Sequence, residues 1–73
     1  MIVKELINNK DFDINANISL YDRAKGTWHE SKPVWRTLDA HHKDVPAEIL
    51  TKKIVYITVD TDTTCLIVEF DEE

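Results

Sequence analysis

Three histidines, one cysteine and fourteen acids are the side chains of this 73-residue chain best suited to chemistry. Their spacing organises them poorly for it. His41 and His42 are adjacent, His29 lies twelve residues earlier, and Cys65 stands alone. Zinc sites draw paired ligands, a few residues apart, from two places in a chain. Adjacent histidines on a strand point to opposite faces, so only a loop brings both to one ion, with Asp39 and Asp44 as oxygen ligands. A polar loop with exposed imidazoles is the simpler reading. No metal and no other cofactor is expected.

Nucleophilic catalysis has no better footing. Ser19 and Ser31 sit in no strand–turn–helix elbow, and Cys65 lies in an apolar strand with no base nearby in sequence. Cys65 reads as a small packing residue. A single glycine rules out a glycine-rich phosphate loop. The acid pairs Asp11 and Asp13, or Asp60 and Asp62, match no calcium loop. The chain is expected not to be an enzyme.

Charge is more informative than any motif. Ile54 to Glu73 contain six acids (Asp60, Asp62, Glu69, Asp71, Glu72, Glu73) and no base. The other 53 residues hold the remaining eight acids and all nine bases, so the net charge of −5 comes from the final segment. Such a background disfavours direct nucleic-acid binding, since Lys52-Lys53 and Arg23 with Lys25 make too small a basic footprint. Trp28 and Trp35 are then core or interface anchors rather than base-stacking platforms. The acidic segment either meets something basic or blunts a strand edge and keeps the protein from aggregating.

The elements that must carry these residues follow from periodicity. Val3, Leu6 and Ile7 fall on one face of a short helix over Ile2 to Asn8, ended by Asn8-Asn9-Lys10. Ile14, Ala16, Ile18 and Leu20 alternate along a strand reaching Tyr21. Asp22 to Gly26 reads as a turn whose last residue needs positive φ. Thr27 to Glu30 and Pro33 to Leu38 are expected to return as strands, with Pro33 at a strand start. Asp39 to Lys43 is loop. Asp44 to Leu50 is a short helix with Asp44 or Val45 as its cap and Pro46 in its first turn.

The clearest element is the C-terminal hairpin. Val55, Ile57 and Val59 share one face and meet Leu66, Val68 and Phe70, which demands an even-length loop within Asp60 to Thr63. The opposite face carries Ile54, Tyr56 and Thr58 with Cys65, Ile67 and Glu69, and is not cleanly polar. A helix, the segment around Trp28 and Trp35, or a partner must cover it.

The fold expected is therefore a small single α+β domain over residues 1–73. It comprises an N-terminal helix, three or four mostly antiparallel strands, a short second helix and the hairpin, with 71–73 a frayed acidic tail. One cysteine gives no disulfide framework, no apolar run approaches a membrane span, and no charged-then-apolar leader opens the chain. A cytoplasmic protein without a membrane partner is expected. The candidate partner-binding residues are Asp60, Asp62, Glu69 and Asp71 on the acidic side, and Ile54, Tyr56 and Ile67 on the mixed face. The partner is another protein or a second copy.

Val3-Lys4-Glu5-Leu6-Ile7-Asn8, Phe12-Asp13-Ile14-Asn15, Tyr21-Asp22 and Gly26-Thr27-Trp28, with the strand pair Ile54 to Val59 and Leu66 to Phe70, complete the picture. In these the chain resembles a group of small proteins from Firmicutes phages, plasmids and other mobile elements. Ile2 stands where that group carries a capping threonine. The resemblance implies no activity, only a setting: accessory genes that include inhibitors of host defence such as anti-CRISPR proteins. An acidic hairpin there implies mimicry of nucleic-acid charge as a second functional reading.

Overall fold

The structure, a computed structural model, describes residues 1–9, 11, 14, 16–37 and 45–71. Helix α1 (Val3–Ile7) is followed by strand β1 (Asn17–Asp22), a 3₁₀ turn (Arg23–Lys25) and strand β2 (Trp35–Arg36). Helix α2 (Ala47–Leu50) then leads into the long strands β3 (Lys53–Asp60) and β4 (Cys65–Asp71). The strands form one sheet in the order β2-β1-β4-β3. Its outer pairs are antiparallel, and its central pair, β1 with β4, is parallel. The fold is a small α+β domain with a mixed sheet.

Two of the three strand pairs are antiparallel, as expected of a mostly antiparallel sheet, and the central parallel pair is the exception. Parallel strands are normally buried on both faces and read as near-continuous apolar runs. Cys65-Leu66-Ile67-Val68 is such a run, and β4 is buried along most of its length. That run marks a central strand, but it does not name β1 as the parallel neighbour, because alternation reveals faces and not partners.

Each sheet face has its own core. On the first, Val3, Leu6 and Ile7 of α1 pack with Val45 over Ile18, Leu20, Val68 and Phe70. Ile14, Trp35, Ile49, Leu50 and Ile54 border that cluster. On the second, Tyr21, Cys65 and Ile67 form a smaller cluster against Trp28. The two tryptophans thus serve opposite faces.

Local chemistry explains the element ends. Ile2 has no side-chain oxygen to cap α1, so the capping is one-sided: the Ile2 N–H donates to Glu5 Oε1 at 2.8 Å. At the other end the Asn9 side chain donates to the Glu5 carbonyl at 2.9 Å and accepts from the Asp11 N–H at 2.8 Å. The Asp22 carboxylate accepts from Ala24 N–H at 3.0 Å and starts the 3₁₀ turn. Gly26 ends it at φ +114, the positive value expected of the only glycine. Thr27 to Glu30 does not return as a strand. It turns again, with Glu30 N–H donating to the Thr27 carbonyl at 2.9 Å. The returning strand shrinks to Trp35–Arg36, and α2 begins after Pro46, which takes the cap position itself. Lys10, Phe12, Asp13, Asn15, Leu38, Asp39, His41, His42, Asp44, Glu72 and Glu73 lie outside the described residues.

The hairpin has the even loop its pattern demands. Val59 pairs with Leu66 and Asp60 with Cys65, leaving Thr61 to Thr64 as a four-residue turn, one position later than expected. Asp60 organises it: Oδ1 accepts from Asp62 N–H at 3.1 Å and Oδ2 from the Thr63 hydroxyl at 3.0 Å. Thr64 closes the turn at φ 52. A β-branched residue in the left-handed region is strained. Thr64→Gly should therefore stabilise the fold by about 1 kcal/mol and Thr64→Asn by somewhat less, read as a raised urea midpoint at constant slope.

Candidate interface on the C-terminal hairpin

A bulge divides the expected binding residues between the two faces of the sheet. Ile54 pairs with Phe70 while Tyr56 pairs with Glu69, so Val55 is the extra residue. The slip moves Ile54 onto the first face, where it packs on the core. Val55 leaves the face expected for it and is exposed. Ile57 and Val59 do oppose Val68 and Leu66, yet they overhang the edge of the core and stay 45% and 56% exposed. Tyr56, on the second face, is 45% exposed.

Glu69 is not on the surface. Its side chain is 1% exposed and lies at the centre of the second face, between Tyr21 on β1 and Tyr56 on β3. Arg23 Nε donates to Oε1, and the Trp28 N–H donates to Oε2 at 2.9 Å. A buried carboxylate is tolerable only when paired and hydrogen-bonded in this way. The guanidinium also stacks over Tyr56, 5.9 Å from the ring centroid. Ile67 is likewise buried, beneath Trp28. The mixed second face is thus covered from within at β1 and β4, by Arg23 and Trp28, and only its β3 margin remains open. Glu69 and Ile67 leave the set of residues that a partner can touch.

The other acids sit apart. Asp62 is exposed in the turn, Asp60 half-buried beside it, and Asp71 half-buried at the far end of β4 opposite Lys53. Among the described acids of the hairpin, Asp60 and Asp62 in the turn are the two that stand together. Sequence reasoning missed Arg23, whose partner is 46 residues away. The one available signal was an acid, Glu69, set between the apolar Val68 and Phe70.

Two titrating groups report on this face. Burial raises the Tyr21 phenol above its ordinary value of 10.0, Cys65 and Asp60 push the same way, and Arg36 opposes them. Glu30 is lowered, because the Thr27 N–H and then the Thr27 hydroxyl donate to its carboxylate at 3.2 and 3.0 Å. Ser19 Oγ and Cys65 Sγ share a hydrogen bond at 3.2 Å, which places the lone thiol in a packing role inside the sheet. His29 is exposed and stacks on Trp28 with ring centroids 3.9 Å apart. Among the described residues no cluster of three His, Cys, Asp or Glu side chains is placed to hold a metal.

The outer edge of β3 is bounded at one end. Met1 to Val3 runs antiparallel beside its start: Ile54 N–H donates to the Met1 carbonyl at 2.8 Å and Val3 N–H to the Lys52 carbonyl at 2.9 Å. Beyond Ile54, no described residue pairs with the outer side of β3. The exposed Val55, Tyr56, Ile57 and Val59 lie along that stretch. Natural edges are usually short, charged or covered. Over Val55 to Val59 this edge carries no charge, and no described residue covers it.

No helix of the described residues is long and apolar enough to cross a membrane. No family model, curated protein or solved structure matches the chain.

Glu69 and Tyr21, paired across β4 and β1, each give a measurable outcome. Glu69→Gln keeps the shape but turns an amide donor toward either the guanidinium or the Trp28 N–H. It should cost about 1.5–3 kcal/mol, at the lower end because Arg23 is partly solvated. Denaturant titration gives the loss, and a red shift of tryptophan emission measured in a Trp35→Phe background locates it at Trp28. The second concerns alkali. With its native pKa raised, Tyr21 ionises first in the unfolded chain, so the stability it contributes is complete below pH 10 and is lost as pH rises through the native value. Tyr21→Phe should flatten that part of the stability–pH curve relative to wild type, and an unchanged slope would refute the burial argument.

Proposed function

We propose that the protein is a non-enzymatic binding module whose working surface is the outer edge of β3 together with the turn that follows it. The observation that carries this reading is the apolar edge: Val55, Tyr56, Ile57 and Val59 exposed along the open side of one strand. An open edge offers a row of backbone donors and acceptors to an incoming strand, and alternate side chains then give specificity. The acidic turn adds a charged flank at one end, with Asp60 and Asp62.

Mimicry of nucleic-acid charge has less behind it. That reading needs an exposed carboxylate array along the hairpin, and Glu69 is withdrawn into an internal ion pair. The resemblance to mobile-element proteins bears on the setting of the binding partner, and the edge geometry bears on its form: a chain segment able to extend.

The test is capture from a host-type lysate with three baits. Ile57→Lys with Val59→Lys places charge on the edge without touching buried residues, so folding measured by circular dichroism should be unchanged. Captured protein should fall at least tenfold with that bait. Asp60→Lys with Asp62→Lys should reduce capture by a smaller factor. Capture that ignores the edge substitution sinks the proposal.

A further inference from the structure

The partner that the edge geometry fits best is the edge itself. We infer that two copies of the chain pair through β3, antiparallel about a two-fold axis at Thr58, to make one continuous eight-stranded sheet. This rests on the reading of β3 as the binding surface and goes on to name its occupant.

Three constraints select the register. Met1 to Val3 already occupies the outer side of β3 at Lys53, and the bulge at Val55 interrupts the regular strand just beyond. That leaves Tyr56 to Asp60 as the regular open stretch. Opposed residues in an antiparallel pair share a face, so within this stretch odd positions must meet odd ones and even positions even ones. The register that pairs all five residues has Thr58 opposite Thr58 of the second copy.

This register is self-complementary. On the first face the exposed Ile57 of each copy meets the exposed Val59 of the other, twice over, and both gain cover. On the second face Thr58 meets Thr58, a favourable cross-strand pair. Tyr56 meets Asp60 of the second copy, and Arg23 lies over the Tyr56 ring with its side chain 39% exposed. The incoming carboxylate therefore arrives beside a guanidinium whose other neighbour is Glu69. The row across the new sheet runs acid, base, aromatic, acid.

Two terms keep the pair weak. Five residues a side bury less than the ~1,200 Å² of a stable interface. Each copy also carries a net charge of −5, so the two repel at low ionic strength. Association is expected between about 10 µM and 1 mM, and raising salt should strengthen it by screening that repulsion. A basic partner strand docking on the same edge would show the opposite salt dependence.

Sedimentation velocity across that concentration range, at low and moderate salt, is the first arm, and oxidative cross-linking of single-cysteine substitutions is the second. Opposed antiparallel residues have Cα atoms about 4.5–5.5 Å apart, inside the reach of a disulfide. Thr58→Cys should cross-link to a dimer on oxidation, and Thr61→Cys should not, because its two copies stand roughly 20 Å apart in this register. The buried Cys65 is common to both. Ile57→Lys should raise the dissociation constant at least tenfold with folding intact. A monomer throughout the range, cross-linking at Thr61 in preference to Thr58, or a dimer indifferent to Ile57→Lys overturns the inference. If the chain is monomeric yet lysate capture still depends on Ile57 and Val59, self-pairing falls and the edge remains a binding surface. If both arms are indifferent to these residues, both readings fall.

Discussion

The interior position of one carboxylate organises half of this protein. Glu69 lies in a central strand with essentially no solvent, where an unpaired charge would cost several kcal/mol even after relaxation. Its compensation comes from far away in sequence: Arg23 at the end of β1 and the backbone of Trp28. Accepting those two hydrogen bonds fixes the path of the chain from β1 through the 3₁₀ turn, past Gly26 and over the second face. The Trp28 ring is thereby laid on Cys65 and Ile67. Among the described residues no buried side-chain nitrogen or oxygen lacks a partner, so the face closes without a stranded polar group.

That closure has a limit set by chain length. The segment from Arg23 to Pro33 is long enough to cover β1 and β4 but leaves the β3 side of the second face to Tyr56 and Arg23. On the first face the two helices are a turn or so each, and they cover Ile18, Leu20, Val68 and Phe70 before they run out. A chain of 73 residues buries a smaller share of its surface than a larger domain. The shortfall here is not spread evenly; it is concentrated at one strand.

The sequence was legible wherever one face of an element meets one core. Val3, Leu6 and Ile7, then Ile18 and Leu20, then Val68 and Phe70 all lie where periodicity puts them, and the hairpin loop has the parity that its two apolar sets require. Legibility failed where the outcome depends on a distant neighbour or on a one-residue irregularity. The bulge at Val55 exchanged Ile54 for Val55 on the core face, and no glycine or proline marks it. Glu69 looked like a surface acid because alternation cannot see Arg23, 46 residues away. Thr27 to Glu30 looked like a strand because Thr and Trp favour one, but the Glu30 carboxylate bonds back to Thr27 and makes a local turn instead.

The bulge and the N-terminal residues bear on the same edge. Bulges commonly disrupt sheet edges, and a short covering segment removes a stretch of edge outright. Here Met1 to Val3 covers the start of β3, the bulge breaks the ladder just after it, and Asp60 with the turn closes the other end. Between these stops lie four regular residues, Tyr56 to Val59, with no charge and no proline. A strand meant only to stay single would be blunted at its middle, where an incoming strand gains most. This one is blunted at its ends, which confines any partner to one short window and so selects a register. Edge protection that bounds a site, rather than abolishing it, is the physical argument for reading β3 as a surface that pairs.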